Sequence, residues 1–536
     1  MKNELILLAI LFLGLFLRIY DLGNESIWVD EGISIRLAHL KPFQIIEDRA
    51  SNIHPPLYFV ILHYWVNLFG DSEFSTRFLS VIFGLLTIFM ICKVGGLVFD
   101  KEVGILSSLL LGLSVFHIHY SQETRSYSLM ALLTLLSIYF FVKLLEKRSL
   151  VVAIGYILSS ILLMYTHLFG LFIIVAQNIY LVTLFLLSSE VYKLGFKRWI
   201  LLQGILIVLF IPWIRILISQ VLVVQSGFWI PAPSIRSIIA SFLEYSGSVL
   251  LLPCFLILSS FSMITYEKTR GNIAWKDFFE SIESYSWNVS LSNINKIYLL
   301  LVWLFIPIIF PFVISHFSAP IYITKATISA SLAFYLLVAK GISNINYKYK
   351  FVIASIIVAF SLLNIWKYYT EVNKEQWRDV ANYIDTNAEH GDLLLFNAGF
   401  CQENAFDYYS ERTDLIKKPF PEKTRDVFYF STVDEEDVKE LMPTVDGYNR
   451  VWVILSHSRD HNGLIEKTLR ESYNLSYHKK YVVSTEIYQK YVGVEVYLFE
   501  KMNKDLTSKR ENGIALERRL VAGSGGRMKR TSVSSK

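Results

Sequence analysis

Ile27-Trp28-Val29-Asp30-Glu31-Gly32 follows closely on a hydrophobic stretch that begins at Leu5, and this junction decides how the chain is read. Two adjacent carboxylates stand where a membrane anchor ends and a loop at the membrane surface begins. Carboxylates beside hydrocarbon are costly, so a pair kept there in a chain of many spans marks a functional site. A solvated connecting loop is the plain alternative for the pair taken alone. The run Leu5 to Leu17 resembles the core of a signal peptide, but no small-residue cleavage pattern follows it and many apolar windows come after. It is therefore expected to be retained as the first span.

The composition around this junction is that of an integral membrane protein. Of 536 residues, 53% are hydrophobic, 15% aromatic and only 18% charged, and the mean hydropathy is +0.43. An α-helix needs roughly 17 to 25 apolar residues to cross about 30 Å of hydrocarbon. Candidate windows lie near 5–20, 54–70, 74–98, 103–119, 127–145, 149–165, 168–188, 197–220, 236–263, 297–315, 326–341 and 350–366. They predict an α-helical polytopic membrane domain of 11 to 13 spans over residues 1–370. Beyond it, apolar strands such as Asp392–Phe396, Val427–Phe430 and Val451–Leu455 alternate with polar helical stretches, Gln376–Asn387 and Asp434–Leu441. That pattern predicts a small soluble α/β domain over residues 371–502. The basic, Gly- and Ser-rich tail, 503–536, is expected to be disordered.

Lys and Arg in short loops mark the cytoplasmic side. Placing Lys143–Arg148, Lys193–Arg198, Lys268–Arg270 and Tyr347–Lys350 inside is consistent with the windows between them. It puts Tyr120–Tyr127, Tyr165–His167, Gln220–Pro233, His316–Lys325, Asp30, Glu31 and the α/β domain outside, in a multi-pass protein of the plasma membrane. His54 outside and Asp100-Lys101 inside require one net crossing where two apolar windows lie. Either 54–70 is a partial or steeply tilted segment, or the boundaries there differ.

Other classes find little support. The 51 basic residues barely exceed the 46 acidic ones and several of them lie in the tail, so nothing points to nucleic acid. Cys92, Cys254 and Cys401 are far apart, without metal spacing, and read as packing residues.

By this topology four polar clusters share one membrane face. Beside Asp30-Glu31 stands His54-Pro55-Pro56-Leu57-Tyr58, where the prolines fix a stiff approach to a helix and hold His54 at its mouth. His117-Ile-His119-Tyr120-Ser-Gln-Glu123-Thr-Arg125-Ser-Tyr127 interrupts two apolar spans, and the planar fork of Arg125 suits phosphate oxygens, although an interfacial arginine can simply snorkel. Ser318-Ala-Pro320-Ile-Tyr322-Ile-Thr-Lys325 places a further cation at a span end. The aromatic strip Gly227–Pro233, with Trp229, suits a sugar or the membrane interface equally. His117 and His119 face apart on a helix, so they are poor metal ligands, whereas Asp30 and Glu31 could hold a divalent cation as readily as activate a hydroxyl. Paired carboxylates facing cations beside hydrocarbon suit an anionic lipid headgroup and a nucleophile that must lose a proton. Glycosyl transfer from a polyprenyl-phosphate sugar has those needs: cations for the departing phosphate and one carboxylate base for the acceptor.

At these residues the chain resembles the dolichyl-phosphate-mannose protein mannosyltransferase superfamily, glycosyltransferase family 39 and its relatives, including the lipid A aminoarabinose transferases. The likeness covers roughly residues 5 to 370 and rests on Trp28-Val-Asp30-Glu31, His54-Pro55-Pro56-Leu57-Tyr58, Phe69-Gly70-Asp-Ser-Glu73-Phe74-Ser-Thr-Arg77 and Tyr120-Ser-Gln-Glu123-Thr-Arg125-Ser-Tyr127. It implies a GT-C fold, an extracytoplasmic active site and an inverting mechanism. Asp30 then corresponds to the catalytic carboxylate with Glu31 in support. His54, Tyr58, Glu123, Arg125 and Lys325 correspond to donor phosphate or sugar contacts, and Tyr322, His167 and Trp229 to acceptor or interface contacts. Relatives carry an arginine in the segment that here reads Pro320-Ile-Tyr322-Ile-Thr-Lys325, so the charge is kept and the fork lost. The implied partners are a polyprenyl- or dolichyl-phosphate sugar, a protein, lipid or lipid-linked glycan acceptor, and the bilayer.

The competing class is a transporter or flippase of an amphipathic anion. Transporters place ionisable groups near the midplane on broken helices, often within internal repeats; here the clusters lie at span ends and no clear repeat is found. A receptor whose outer domain binds a ligand leaves so many spans unexplained. The α/β domain, with Trp377-Arg378-Asp379, Asn397–Asn404 and His457–His461, offers no catalytic set and is expected to help choose the acceptor.

Overall fold

The computed structural model describes residues 2–187, 194–226, 230–265, 288–289, 293–318, 320–425, 433–458, 460, 462–484 and 490–502. Trp229, the basic loop Lys268–Arg270, the strand expected at Val427–Phe430 and the tail 503–536 lie outside the described residues.

Each of the apolar windows falls on helix. In chain order the helices are α1 (Lys2–Ile19), α2 (Val29–Ala38), α3 (Pro42–Ala50), α4 (Leu57–Phe69), α5 (Glu73–Val98), α6 (Lys101–Gly112), α7 (Val115–Ser121), α8 (Tyr127–Glu146) and α9 (Leu150–Thr166). There follow α10 (Gly170–Leu187), α11 (Phe196–Ser226), α12 (Ile235–Ser246), α13 (Leu251–Phe261), α14 (Ile294–Phe317), α15 (Ile328–Asn344) and α16 (Tyr347–Thr370). Among the described residues, 7 helices are long and apolar enough to cross a membrane, or 9 if each of two bent pairs counts as one span.

The windows outside that count lie on α1, whose 18 residues include the charged Lys2, Glu4 and Arg18, on α9, with 17 residues, and on α4. α4 has 13 residues, about 20 Å at 1.5 Å per residue, well short of about 30 Å of hydrocarbon. The helix over 54–70 is therefore too short for a full crossing by length alone. The window 236–263 is not one continuous helix: Gly247, at φ 81°, ends α12 in a left-handed cap, and α13 leaves at 88° to it. α6 and α7 likewise meet at 65°. The bend frees the last carbonyls of α6, and Arg18, fully buried in α1, answers them. Its guanidinium donates to Leu111 O at 3.3 Å, to Gly112 O at 3.2 Å and to Ser121 Oγ at 3.2 Å. An arginine inside an apolar helix is thus spent on a helix break.

α15 is buried over nearly its whole length, and the α5–α6 pair packs closely, Gly95 against Gly104. Small residues let membrane helices approach.

The chain forms two compact units. The larger comprises the residues up to Tyr383 together with Cys401–Ser410 and Tyr481–Val494; the other comprises Ile384–Phe400, Glu411–Lys480 and the described residues from Glu495. A two-residue ladder joins β1 (Ile264–Thr265) to β2 (Asn288–Val289). The C-terminal region carries β3 (Leu393–Phe396), β4 (Ile416–Pro419), β5 (Arg450–Ser456), β6 (Tyr473–Ser484) and β7 (Lys490–Lys501) in the order β4-β3-β5-β7-β6. β3 runs parallel to β4 and to β5, and Leu393, Leu395, Val451 and Val453 fill its core. This is the small α/β fold that the apolar runs predict.

Candidate active site

The two carboxylates stand in the first turn of α2 and not in a loop. Trp28 is the extended N-cap residue, Val29 opens the helix, and the unpaired N–H groups of that turn favour negative charge. Successive helical residues are turned by about 100°, so Asp30 and Glu31 meet different surroundings.

Glu31 is completely buried. Arg77 grips it with two hydrogen bonds, Nε to Oε1 at 2.9 Å and Nη2 to Oε2 at 2.7 Å. Lys374 Nζ donates to both oxygens at 3.2 Å and the Thr124 N–H donates to Oε1 at 2.9 Å. Burial alone favours the neutral acid; Arg77 and Lys374 reverse this and hold Glu31 below the usual carboxylate range. Arg77 also donates to Leu22 O, Glu25 O and Ser26 O, at 3.0, 2.8 and 2.8 Å. Arg378 takes the carbonyls between, Gly23 O at 3.2 Å and Asn24 O at 2.8 Å. Five consecutive carbonyls ahead of α2 are thus fixed by two guanidiniums.

Asp30 keeps 28% of its side chain exposed. Lys325 Nζ lies 3.2 Å from Oδ2 and Arg125 Nη2 lies 3.6 Å from the same atom. Arg125 Nη1 donates to the Asp30 carbonyl at 3.2 Å. Partial burial raises the Asp30 carboxyl, but Arg125 and then Lys325 outweigh it and hold the group well below its ordinary range. The Lys325 ammonium sits 5.2 Å from the Trp28 ring centroid and 5.8 Å from that of Tyr127. Two buried donors here, Arg125 Nε and Trp28 Nε1, have no hydrogen-bond partner among the described residues.

Around them stand two histidines, with His54 and His167 ring centroids 5.6 Å apart and Tyr127 5.9 Å from His167. Burial, reinforced by Arg125, pushes both imidazoles below their ordinary value, His167 to about 3. Both are therefore neutral at physiological pH. His167 Nδ1 accepts the Phe169 N–H at 3.2 Å, which leaves the ring proton on Nε2 as a donor.

The remaining expected residues divide. Tyr58 is buried behind the site: its hydroxyl lies 3.3 Å from Ser80 Oγ, which donates to Arg125 O at 3.4 Å. Glu123 is buried with Oε1 3.2 Å from His119 Nε2 and with Oε2 unpartnered among the described residues. Tyr322 is spent on Ser241, hydroxyl to hydroxyl at 2.7 Å. His117 is likewise spent, on Ser331 Oγ at 2.8 Å.

Three participants had no role assigned from the sequence. Arg77 and Trp28 stand in the motifs that carry the resemblance, Arg77 as a charge in the first turns of an apolar helix and Trp28 as a near neighbour of the acidic pair. Lys374 lies 343 residues from Glu31, and nothing local marks it.

The donor set does not fit a divalent cation shared by the two carboxylates. Glu31 spends both oxygens on cations, and no group of three or more His, Cys, Asp or Glu that could hold a metal occurs among the described residues.

Residues 53–216 match the family described as dolichyl-phosphate-mannose-protein mannosyltransferase. No curated protein sequence matches the chain. Among solved structures, ArnT from Cupriavidus metallidurans bound to undecaprenyl phosphate superposes with a TM-score of 0.55 at 10% identity, covering 92% of this chain and 97% of that one. The apo state of the same protein gives 0.56 at 10% identity, with the same coverage. The archaeal oligosaccharyltransferase AglB from Archaeoglobus fulgidus, in complex with an inhibitory peptide and a dolichol-phosphate, gives 0.50 at 10% identity, covering 94% of this chain and 74% of that one. The chain is thus an integral membrane protein with the GT-C glycosyltransferase fold, similar in architecture to ArnT and, over residues 53–216, in sequence to the dolichyl-phosphate-mannose-protein mannosyltransferases.

Proposed function

We propose that this protein is an inverting glycosyltransferase that moves a sugar from a polyprenyl-phosphate carrier to an acceptor hydroxyl at the extracytoplasmic face. The acceptor class, protein, lipid or lipid-linked glycan, is set by what reaches Asp30. One observation carries the reading. A single partly exposed carboxylate is held by two cations, beside neutral histidines and two buried donors that have no partner among the described residues. Each unspent buried donor costs about 1–3 kcal/mol, an expense that an anionic headgroup would relieve.

In this reading the acceptor oxygen attacks the anomeric carbon, its proton passes to Asp30, and the bond from that carbon to the phosphate oxygen breaks with its electrons left on the phosphate. A phosphate leaving group needs cations and donors, not a proton, and Arg125, Lys325, Trp28 Nε1 and His167 Nε2 are those groups. The cations that depress Asp30 in the empty site are the ones the phosphate needs. Donor binding draws them from the carboxylate and raises its basicity at the moment an acceptor must be deprotonated. Glu31 touches no reactant in this scheme and fixes the position of its neighbour. The neutral histidines contact the sugar or phosphate as hydrogen-bond donors.

Mass spectrometry of glycans and glycolipids from a strain lacking the protein tests the function. The reading predicts loss of one sugar from one acceptor class, and restoration of it in detergent extracts given donor and acceptor. Transfer that requires a sealed membrane would point instead to a transporter.

A further inference from the structure

We infer that the segment Cys401–Ser410, remote in sequence, is a positioning element of the catalytic turn, acting through Gly32. This inference rests on the glycosyltransferase reading of Asp30. Gln402–Phe406 forms a π-helix followed by the short helix Asp407–Tyr409, and single π turns recur at functional sites. The Asn404 carbonyl lies so close to Gly32 that a Cβ there would stand 1.3 Å from the oxygen and 2.5 Å from its carbon. Only glycine allows this backbone-on-backbone approach, and the atom met is backbone that no rotamer change can move.

The contact extends along one face of α2. Arg36, one turn beyond Gly32, donates from Nε to Asn404 Oδ1 at 2.9 Å. Ahead of the helix, Tyr409 Oη accepts the Ile27 N–H at 2.6 Å and also meets Glu73. Tyr408 Oη donates to Asp71 O at 3.0 Å. Gly32 is turned by about 200° from Asp30 around the helix. The segment therefore backs α2 on the side away from Asp30, while Arg125 and Lys325 hold the carboxylate from the front. Asn404, Ala405 and Phe406 are buried, as a fixed support requires.

The test uses full-length protein with two readouts, restoration of the missing sugar in the strain lacking it and affinity of the purified protein for undecaprenyl phosphate. Gly32→Ala is expected to lower sugar restoration at least about tenfold at matched protein level, since misplacing a reacting group by about 1 Å can cost about a hundredfold, with undecaprenyl phosphate affinity within about twofold of wild type. Should Gly32→Ala fail to fold, Asn404 decides. Asn404→Asp keeps the acceptor for Arg36 and is expected to restore the sugar, whereas Asn404→Ala removes it and is expected to lose at least about fivefold. A purely structural role would lower thermal stability in both Asn404 variants without separating their activities. Equal activity of Asn404→Ala and Asn404→Asp, or wild-type activity of Gly32→Ala, overturns the inference. A wild-type protein that restores no sugar would instead overturn the glycosyltransferase reading itself.

Discussion

Asp30 and Glu31 are adjacent on one helical turn, yet one is partly exposed beside unpartnered donors and the other is enclosed in an ionic clamp. Every oxygen of Glu31 is matched by Arg77, Lys374 or the Thr124 N–H, and nothing of it is exposed. Asp30 shares one oxygen between two cations, keeps more than a quarter of its side chain exposed, and has unspent donors nearby. The lesson is that a pair of carboxylates is not a pair of catalysts. A buried charge whose valences are filled holds structure, and a charge left partly open beside idle donors awaits a ligand.

The clamp side should fail hardest when broken. Glu31→Gln leaves Arg77 and Lys374 facing each other in a buried site, and the expected loss is about 3–5 kcal/mol, read as a fall in thermal stability and in folded yield from detergent. Wild-type stability in this variant would make Glu31 something other than a clamp. On the open side, Arg125→Ala should weaken undecaprenyl phosphate binding by about tenfold to a hundredfold, the worth of a charge-assisted contact of about 1.5–3 kcal/mol. A smaller effect is expected of Lys325→Arg, which keeps the charge and supplies a fork; affinity should stay within about threefold and any change should favour arginine.

Acid separates the two sides more gently. Glu31 is held below its unfolded-chain value of 4.5 by its cations, so its contribution to stability is complete above that value and drains away as pH falls below it. Thermal stability of the wild type should therefore decline below about pH 4.5, while Glu31→Gln, if it can be isolated, should show a flatter profile there. A wild-type curve that is flat through that range would mean that the clamp is not the ion set described.

Much of the fold was legible because hydrocarbon imposes a length and a composition. All the apolar windows lie on helix, and β3 and β5 lie where apolar runs predict them. The misreadings share a cause, which is that windows measure hydrophobicity and not continuity. Gly247 divides 236–263, and α4 is too short to cross alone. Arg18, which no pattern in the sequence singles out, seals a break between two other helices. At the site, motif order brought Asp30, His54 and Arg125 to one place. The division of labour between Asp30 and Glu31 was invisible, because it depends on Lys374 and Arg77, whose meeting with Glu31 is long-range. Tyr58 and Tyr322, read as contacts, are committed to hydroxyl partners.

The central claim is that Asp30, alone of the pair, takes the acceptor proton. Its most direct test is sugar transfer by Asp30→Asn in the strain lacking the protein, with membrane insertion and undecaprenyl phosphate binding measured on the same variant. The expected result is a protein that inserts, melts within about 1 kcal/mol of wild type as a partly exposed ion pair allows, still binds the lipid phosphate, and transfers at least about a hundredfold less sugar. Near-normal transfer by Asp30→Asn would contradict the account.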